Sequence, residues 1–345
     1  MNNLVKVKKH LDKFLPLYVA ISMIVGFYIG LHINVKAHAS TFKTLNLLVV
    51  IAMIYPMMVN LNVERLKNIA KAWKQILIAL FMGLVVAPLL AYALILLLRL
   101  FLPISPDLAM GILLAIVVPC SSMSIAYTGL SDGNIELATI VVALSFTLAI
   151  VTVPLWLRVF ASSLHVSISI WLLVKTILIV VVIPLILGVL TRIYLVKRFG
   201  NEGFSRLKPL FPSISILGMY AIVFLIFMEK AKLVYTKILV VGVALIPLSL
   251  YYVLSLLFLT YLDKWLGIPY EDHMAVTFTS VGKNEGTAMA IALAAGTGLM
   301  AIPPAITPIV QIPFLVGYLK AHSVISKLFK RRINRKETLK DVSNG

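Results

Sequence analysis

The sequence predicts an all-α integral membrane protein of ten transmembrane helices, arranged as two inverted five-helix repeats with broken, crossing helices 4 and 9. Three observations lead there. The 345 residues are 61% hydrophobic and only 13% charged, about half the charged share with which a soluble domain covers its surface. Apolar runs as long as a bilayer-spanning helix recur along the chain. Two of those runs, five spans apart, carry polar or proline breaks near their middles.

In order, the first span falls near 15–32. Basic residues precede it and no small-residue cleavage site follows, so it reads as a membrane helix rather than a leader. The second, near 44–61, carries Met53-Ile54-Tyr55-Pro56-Met57-Met58, in which Tyr55 and Pro56 are expected to kink the helix. The third (75–101) contains Pro88, the fourth (108–130) contains Pro119, and the fifth (135–158) contains Pro154. The sixth (168–195) holds Pro184 and also Lys175, about two turns in, which is expected to snorkel to the interface. The seventh (209–228) and eighth (237–262) follow, the latter with Pro247. The ninth (273–295) is the most polar, and the tenth (299–320) ends at Lys320. Connections are short. The chain 1–345 is therefore one membrane domain, with a first repeat over 1–160, a second over 165–325 and a basic tail over 326–345.

The net charge of +18 would suggest nucleic acid in a soluble protein. Here the charges lie between and beyond the apolar runs, so no nucleic-acid partner is expected and the bilayer is the partner. With the N-terminus inside, 22 of the 31 Lys and Arg fall on the cytoplasmic side, 7 outside, and Lys175 and Lys283 within spans. That asymmetry predicts a multi-pass plasma-membrane protein with both termini cytoplasmic. The tail Lys327–Lys340 reads as a topology signal in contact with lipid headgroups.

Cys120 is the single cysteine, which excludes an intrachain disulfide and a cysteine metal cluster. No cofactor or metal is expected. The loops are too short for a soluble catalytic head. All six histidines are read at span ends or in loops, so no catalytic site at membrane depth can be assembled and no enzyme is expected. A channel is disfavoured because no ring of like charges is visible.

Five spans per half insert the second half upside down relative to the first, a plan shared by many secondary transporters, and it asks for breaks at corresponding spans. The fourth span reads Val118-Pro119-Cys120-Ser121-Ser122-Met123-Ser124. The ninth reads Ser280-Val281-Gly282-Lys283-Asn284-Glu285-Gly286-Thr287, with two glycines bracketing three strongly polar residues. Pro119, Gly282 and Gly286 are the expected helix-breaking residues. A continuous lipid-facing helix does not tolerate Lys-Asn-Glu at that depth.

The Tyr55-Pro56 run and Pro119-Cys120-Ser121-Ser122-Met123 resemble signatures of the arsenite efflux permeases, members of the bile acid:sodium symporter superfamily. The resemblance implies ten spans in two inverted repeats and a substrate site at the crossover. It assigns Cys120, Ser121, Ser122, Tyr55 and Asn284 to substrate binding. The ninth span departs from the arsenite pattern: Asn284-Glu285-Gly286 is similar to the Asn-Ser-Gly of the organic-anion symporters, with Glu for Ser. Lys283 falls near a position that supplies an oxygen ligand to sodium in sodium-coupled members. Two substrate classes therefore stay open.

For a metalloid, the chemistry rests on Cys120, because trivalent arsenic is a soft thiophile. Glu285 is the candidate proton carrier or ion-coupling group, and Lys283 is expected to approach it across an unwound segment. A proton is favoured over sodium as the coupling ion, because a fixed ammonium repels a second cation. For a carboxylate substrate, Lys283 would serve as counter-ion. The methionines of the second span read as lipid or core contacts.

Overall fold

The helices lie on the apolar runs, although those beginning at Ile183 and Leu210 continue past their runs to Leu207 and Thr236. The computed structural model of the protein describes residues 10–11, 14–33, 39–60, 72–166, 171, 175, 178–236, 239–295 and 299–329. Most of the basic tail and the lysines before span one lie outside the described residues. In chain order the helices are α1 (Leu15–His32), α2 (Ala39–Val59), α3 (Trp73–Phe81), α4 (Ala87–Leu98), α5 (Pro106–Val117), α6 (Met123–Leu130) and α7 (Ile135–Ser163). Then come α8 (Ile183–Leu207), α9 (Leu210–Thr236), α10 (Leu239–Leu266), α11 (Tyr270–Val281), α12 (Glu285–Ala295) and α13 (Ile302–Lys320). A short helix over 322–329 closes the described chain.

Six helical stretches among the described residues are long and apolar enough to cross a membrane: Ser40–Val59, Trp73–Leu98, Ile135–Ser163, Leu210–Lys232, Leu239–Leu266 and Ile302–Lys320. Three shorter apolar helices accompany them, Leu17–His32, Pro106–Val117 and Glu285–Ala294, and the last two are halves of interrupted segments.

Two interruptions were not expected from the sequence. Residues Met82–Val86 and Leu178–Val182 are π-helical. Each lies just ahead of a proline, Pro88 and Pro184. Proline brings no N–H, so the carbonyl four residues back has no helical donor, and a π turn reorganises the ladder there. The carbonyl freed by Pro88 is that of Leu84, and it accepts from Trp156 Nε1 at 2.8 Å. Pro56, Pro154 and Pro247, by contrast, lie inside continuous helices. Within α8 the chain turns at Gly200, whose φ of 69° suits only a residue without Cβ.

The helices pack in two groups. In one, α9 lies along α1 and α2, and α8 along α2. Gly26 and Gly30 of α1 let this happen: a Cβ at either would strike the backbone of α9 at Phe224 or Met228. The other group holds α3 to α7 and α10 to α13. The groups meet where α1 and α9 touch α13, where α2 touches α12, and where the π segment 178–182 touches α7 and α12. Within the second group α5 packs on α12 and α6 packs on α11, so each half-helix of the fourth segment meets one half of the ninth.

Candidate functional site

The helix ladder stops at Val117 and resumes at Met123, and it stops again at Val281 and resumes at Glu285. Val118 is extended (φ −62°, ψ 157°), as the residue before a proline must be. The two gaps face each other as a minimal antiparallel strand pair with Cys120 opposite Lys283. Ser121 N donates to Gly282 O and Asn284 N to Pro119 O, both at 2.9 Å. Backbone groups freed by one break are thus satisfied by the other, which lets irregular backbone persist away from water. Gly282 is required by closeness: a Cβ there would lie 2.6 Å from Ser124 Oγ and 2.8 Å from Phe278 O.

Cys120 is buried, and its Sγ lies 3.0 Å from Ser145 Oγ. Ser145 spends its single hydrogen on Val142 O at 2.9 Å. The thiol is therefore the donor of the pair, and Cys120 is held as S–H. Ser121 is buried, with Oγ accepting from Met123 N at 3.3 Å, while Ser122 is half-buried at the start of α6.

Lys283 and Glu285 do not pair, contrary to expectation. Lys283 Nζ donates to Gly83 O at 2.5 Å, in the π segment ahead of α4. Glu285 Oε1 instead accepts from Gln311 Nε2 of α13. Lys283 lies in the extended gap while Glu285 already begins α12, and the two side chains reach different helices. Both are almost wholly buried. Glu285 is also the first residue of α12, where the helix dipole favours an acid.

Gln311 is the organiser that the sequence reading missed. Its Oε1 accepts from Lys283 N at 2.7 Å and from Tyr252 OH at 2.8 Å. Its Nε2 donates to Lys283 O at 3.1 Å and to Glu285. The side-chain amide thus serves the outward edge of the Lys283 backbone as a third strand would. The available signal was a lone glutamine at mid-span between Pro308 and Pro313.

Three expected site residues play other parts. Asn284 caps α12, its Oδ1 accepting from Thr287 N at 2.9 Å, while its Nδ2 faces Met57 Sδ at 3.8 Å. Gly286 lies inside the first turn of α12 rather than in the break, and its bare face receives the Met53 thioether. Tyr55 points away from the crossover and bonds Thr191 of α8 at 2.7 Å. At about 100° per residue, Met53 and Met57 share one face of α2 and Tyr55 takes the opposite one. Lys175 is exposed. Among the described residues no group of three or more His, Cys, Asp or Glu could hold a metal ion.

One further correction concerns His273, read as a span-end residue. It lies in α11, fully buried, and bonds Asp263 of α10 and Tyr318 of α13.

Residues 47–237 match the family model described as the sodium bile acid symporter family. Over 332 residues the chain is 27% identical to arsenical-resistance protein Acr3 of Corynebacterium glutamicum, covering 90% of this chain and 88% of that one. It is 23% identical to the protein of the same name from Alkaliphilus metalliredigens, over 87% of this chain and 91% of that one. It is 25% identical to YocS of Bacillus subtilis, described as a sodium-dependent transporter, with 84% of each chain covered. These relatives are transporters, not enzymes, and the chain belongs to the sodium bile acid symporter family.

Proposed function

We propose that the protein exports arsenite or antimonite across the plasma membrane by alternating access, in exchange for protons. One observation carries the reading: the only thiol of the chain lies in the crossover, opposite Lys283, with its hydrogen on Ser145. As(III) hydroxide would exchange one hydroxyl for the Cys120 sulfur, and the thiol proton and that hydroxyl would leave as water. A single As–S bond selects a soft metalloid and can still be reversed. Ser121 and Ser122 would offer hydroxyls to the remaining As–OH groups. Glu285 would carry the proton, and Lys283 would hold the fixed positive charge that sodium supplies elsewhere. The arsenical-resistance names of two relatives support the substrate.

The proposal includes ten spans in two inverted repeats, 1–160 and 165–325, with both termini and the tail 326–345 cytoplasmic. Its support is the facing pair of interrupted helices and the placement of Lys and Arg.

The test is export in everted vesicles. Cys120→Ser should abolish arsenite export while the protein still folds, and full export by the serine variant would remove the thiol mechanism. A second reading, transport of a carboxylate anion, draws on one observation. Lys283 Nζ has three donors, and among the described residues Gly83 O takes one, so two remain for an anion. Uptake of bile acid and pantothenate-like anions, measured in parallel, separates the readings.

A further inference from the structure

At the end of α11 remote from the crossover lies a second polar cluster that the transport reading does not use. His273 Nδ1 lies 2.7 Å from Asp263 Oδ2, and Nε2 lies 2.8 Å from Tyr318 OH. Tyr318 OH lies 2.6 Å from Thr260 Oγ1, which lies 2.7 Å from Leu256 O. Asp263 and His273 are fully buried, and Phe329 of the terminal helix stacks on the imidazole at 4.4 Å between ring centres.

The hydrogens can be counted. The chain runs carboxylate, imidazole, phenol, hydroxyl, carbonyl, and each of its four contacts needs one hydrogen between its heavy atoms; Thr277 Oγ1, 3.3 Å from His273 Nδ1, lies beside the chain and its hydrogen enters none of the four. A neutral histidine brings one N–H, and Tyr318 and Thr260 bring one O–H each. With Asp263 ionised, three hydrogens face four contacts, so one contact would set two lone pairs against each other. The arrangement closes only when the Asp263–His273 pair holds one further proton. An independent observation agrees. Asp263 Oδ1 is buried without a hydrogen-bond partner, a costly place for an uncompensated carboxylate charge.

We propose that Asp263, His273, Tyr318 and Thr260 form a proton-binding site, distinct from Glu285, whose proton fastens the half-helix α11 to α10 and α13. Other ionisable groups nearby are committed elsewhere or lie on the rim. Tyr270 OH donates to Ser131 O, and Asp272 accepts from Gln75 and Asn134. Lys264 is half-buried, while Asp132, Glu271, Lys320 and Lys327 are exposed. The bound proton is present at low pH and leaves as pH rises, so the fastening weakens upward in pH. The site is independent of what the crossover carries, and its failure would leave the transport reading untouched.

Hydrogen exchange of residues 270–281 in the full-length protein in lipid nanodiscs tests this, with rates corrected for the intrinsic effect of pH. The wild type should lose about tenfold in protection as pH rises, the factor to which one lost hydrogen bond to a charged group amounts. Asp263→Asn supplies the fourth hydrogen permanently from its amide and should be insensitive to pH. Tyr318→Phe deletes two contacts and one hydrogen, so a neutral histidine then suffices; it too should be insensitive, and it serves where the first variant does not accumulate. A wild type without a pH response, or variants that keep one, would overturn the proposal.

Discussion

Replacing Gln311 by leucine should loosen the crossover more than any other single change of similar volume. The side chain makes four hydrogen bonds, to Lys283 N, Lys283 O, Tyr252 OH and Glu285. Hydrogen bonds between membrane helices average about 0.6 kcal/mol and reach about 1.7. Four together amount to about 2 to 7 kcal/mol, less the roughly 1.5–3 kcal/mol that a buried leucine returns. A net loss of about 3 kcal/mol is a factor of about a hundred in the population of an opened crossover. Hydrogen exchange at 282–284 and export rate should both register it, the first rising and the second falling. Gln311→Glu sharpens the test. It keeps the acceptor for Lys283 N and Tyr252 but sets a second carboxylate against Glu285, and such a pair shares one proton. That variant should work only at lower pH than the wild type. Wild-type exchange and export in Gln311→Leu would refute the idea that a side-chain amide holds the Lys283 strand.

Transport should be independent of sodium: a cation about 4 Å from the Lys283 ammonium is repelled by roughly 4 kcal/mol at an effective dielectric of 20, about a thousandfold in affinity. Rates with sodium replaced by potassium or choline check this, and a saturable sodium requirement would mean that Lys283 does not occupy the cation's place. Glu285→Gln should flatten the dependence of export on external acidity, measured as rate against outside pH at fixed inside pH; an unchanged profile would assign the coupling proton elsewhere. Gly30→Leu should part α1 from α9, because the Gly30 Cα faces Met228 O directly and a Cβ there would lie 2.7 Å from Ala231 Cβ. Overpacking of this kind costs about 1–3 kcal/mol, occasionally more, and a melting temperature equal to wild type would refute the close approach.

The sequence alone determined that the chain is helical and apolar enough for a bilayer, and it located both interruptions. Pro119 cannot donate, and Lys-Asn-Glu between glycines cannot face lipid. Those are local facts about single residues, so they can be read without coordinates. What only the tertiary structure decided is which atoms each break meets. Lys283 finds Gly83 rather than Glu285 because the π segment packs within reach of its ammonium, while Glu285, on the first turn of α12, is turned to α13. Cys120 gives its hydrogen to Ser145, 25 positions on, and Glu285 leans on Gln311, 26 positions on. Met53 and Met57 reach α12 where Tyr55 does not, because the rotation of α2 about its axis is set by its packing on α8 and α9. His273 was read at a span end and is sealed between three helices. Hydrogen bonds between separate spans depend on how helices are rotated and brought together, and that is fixed by packing across the fold rather than by any local run of residues.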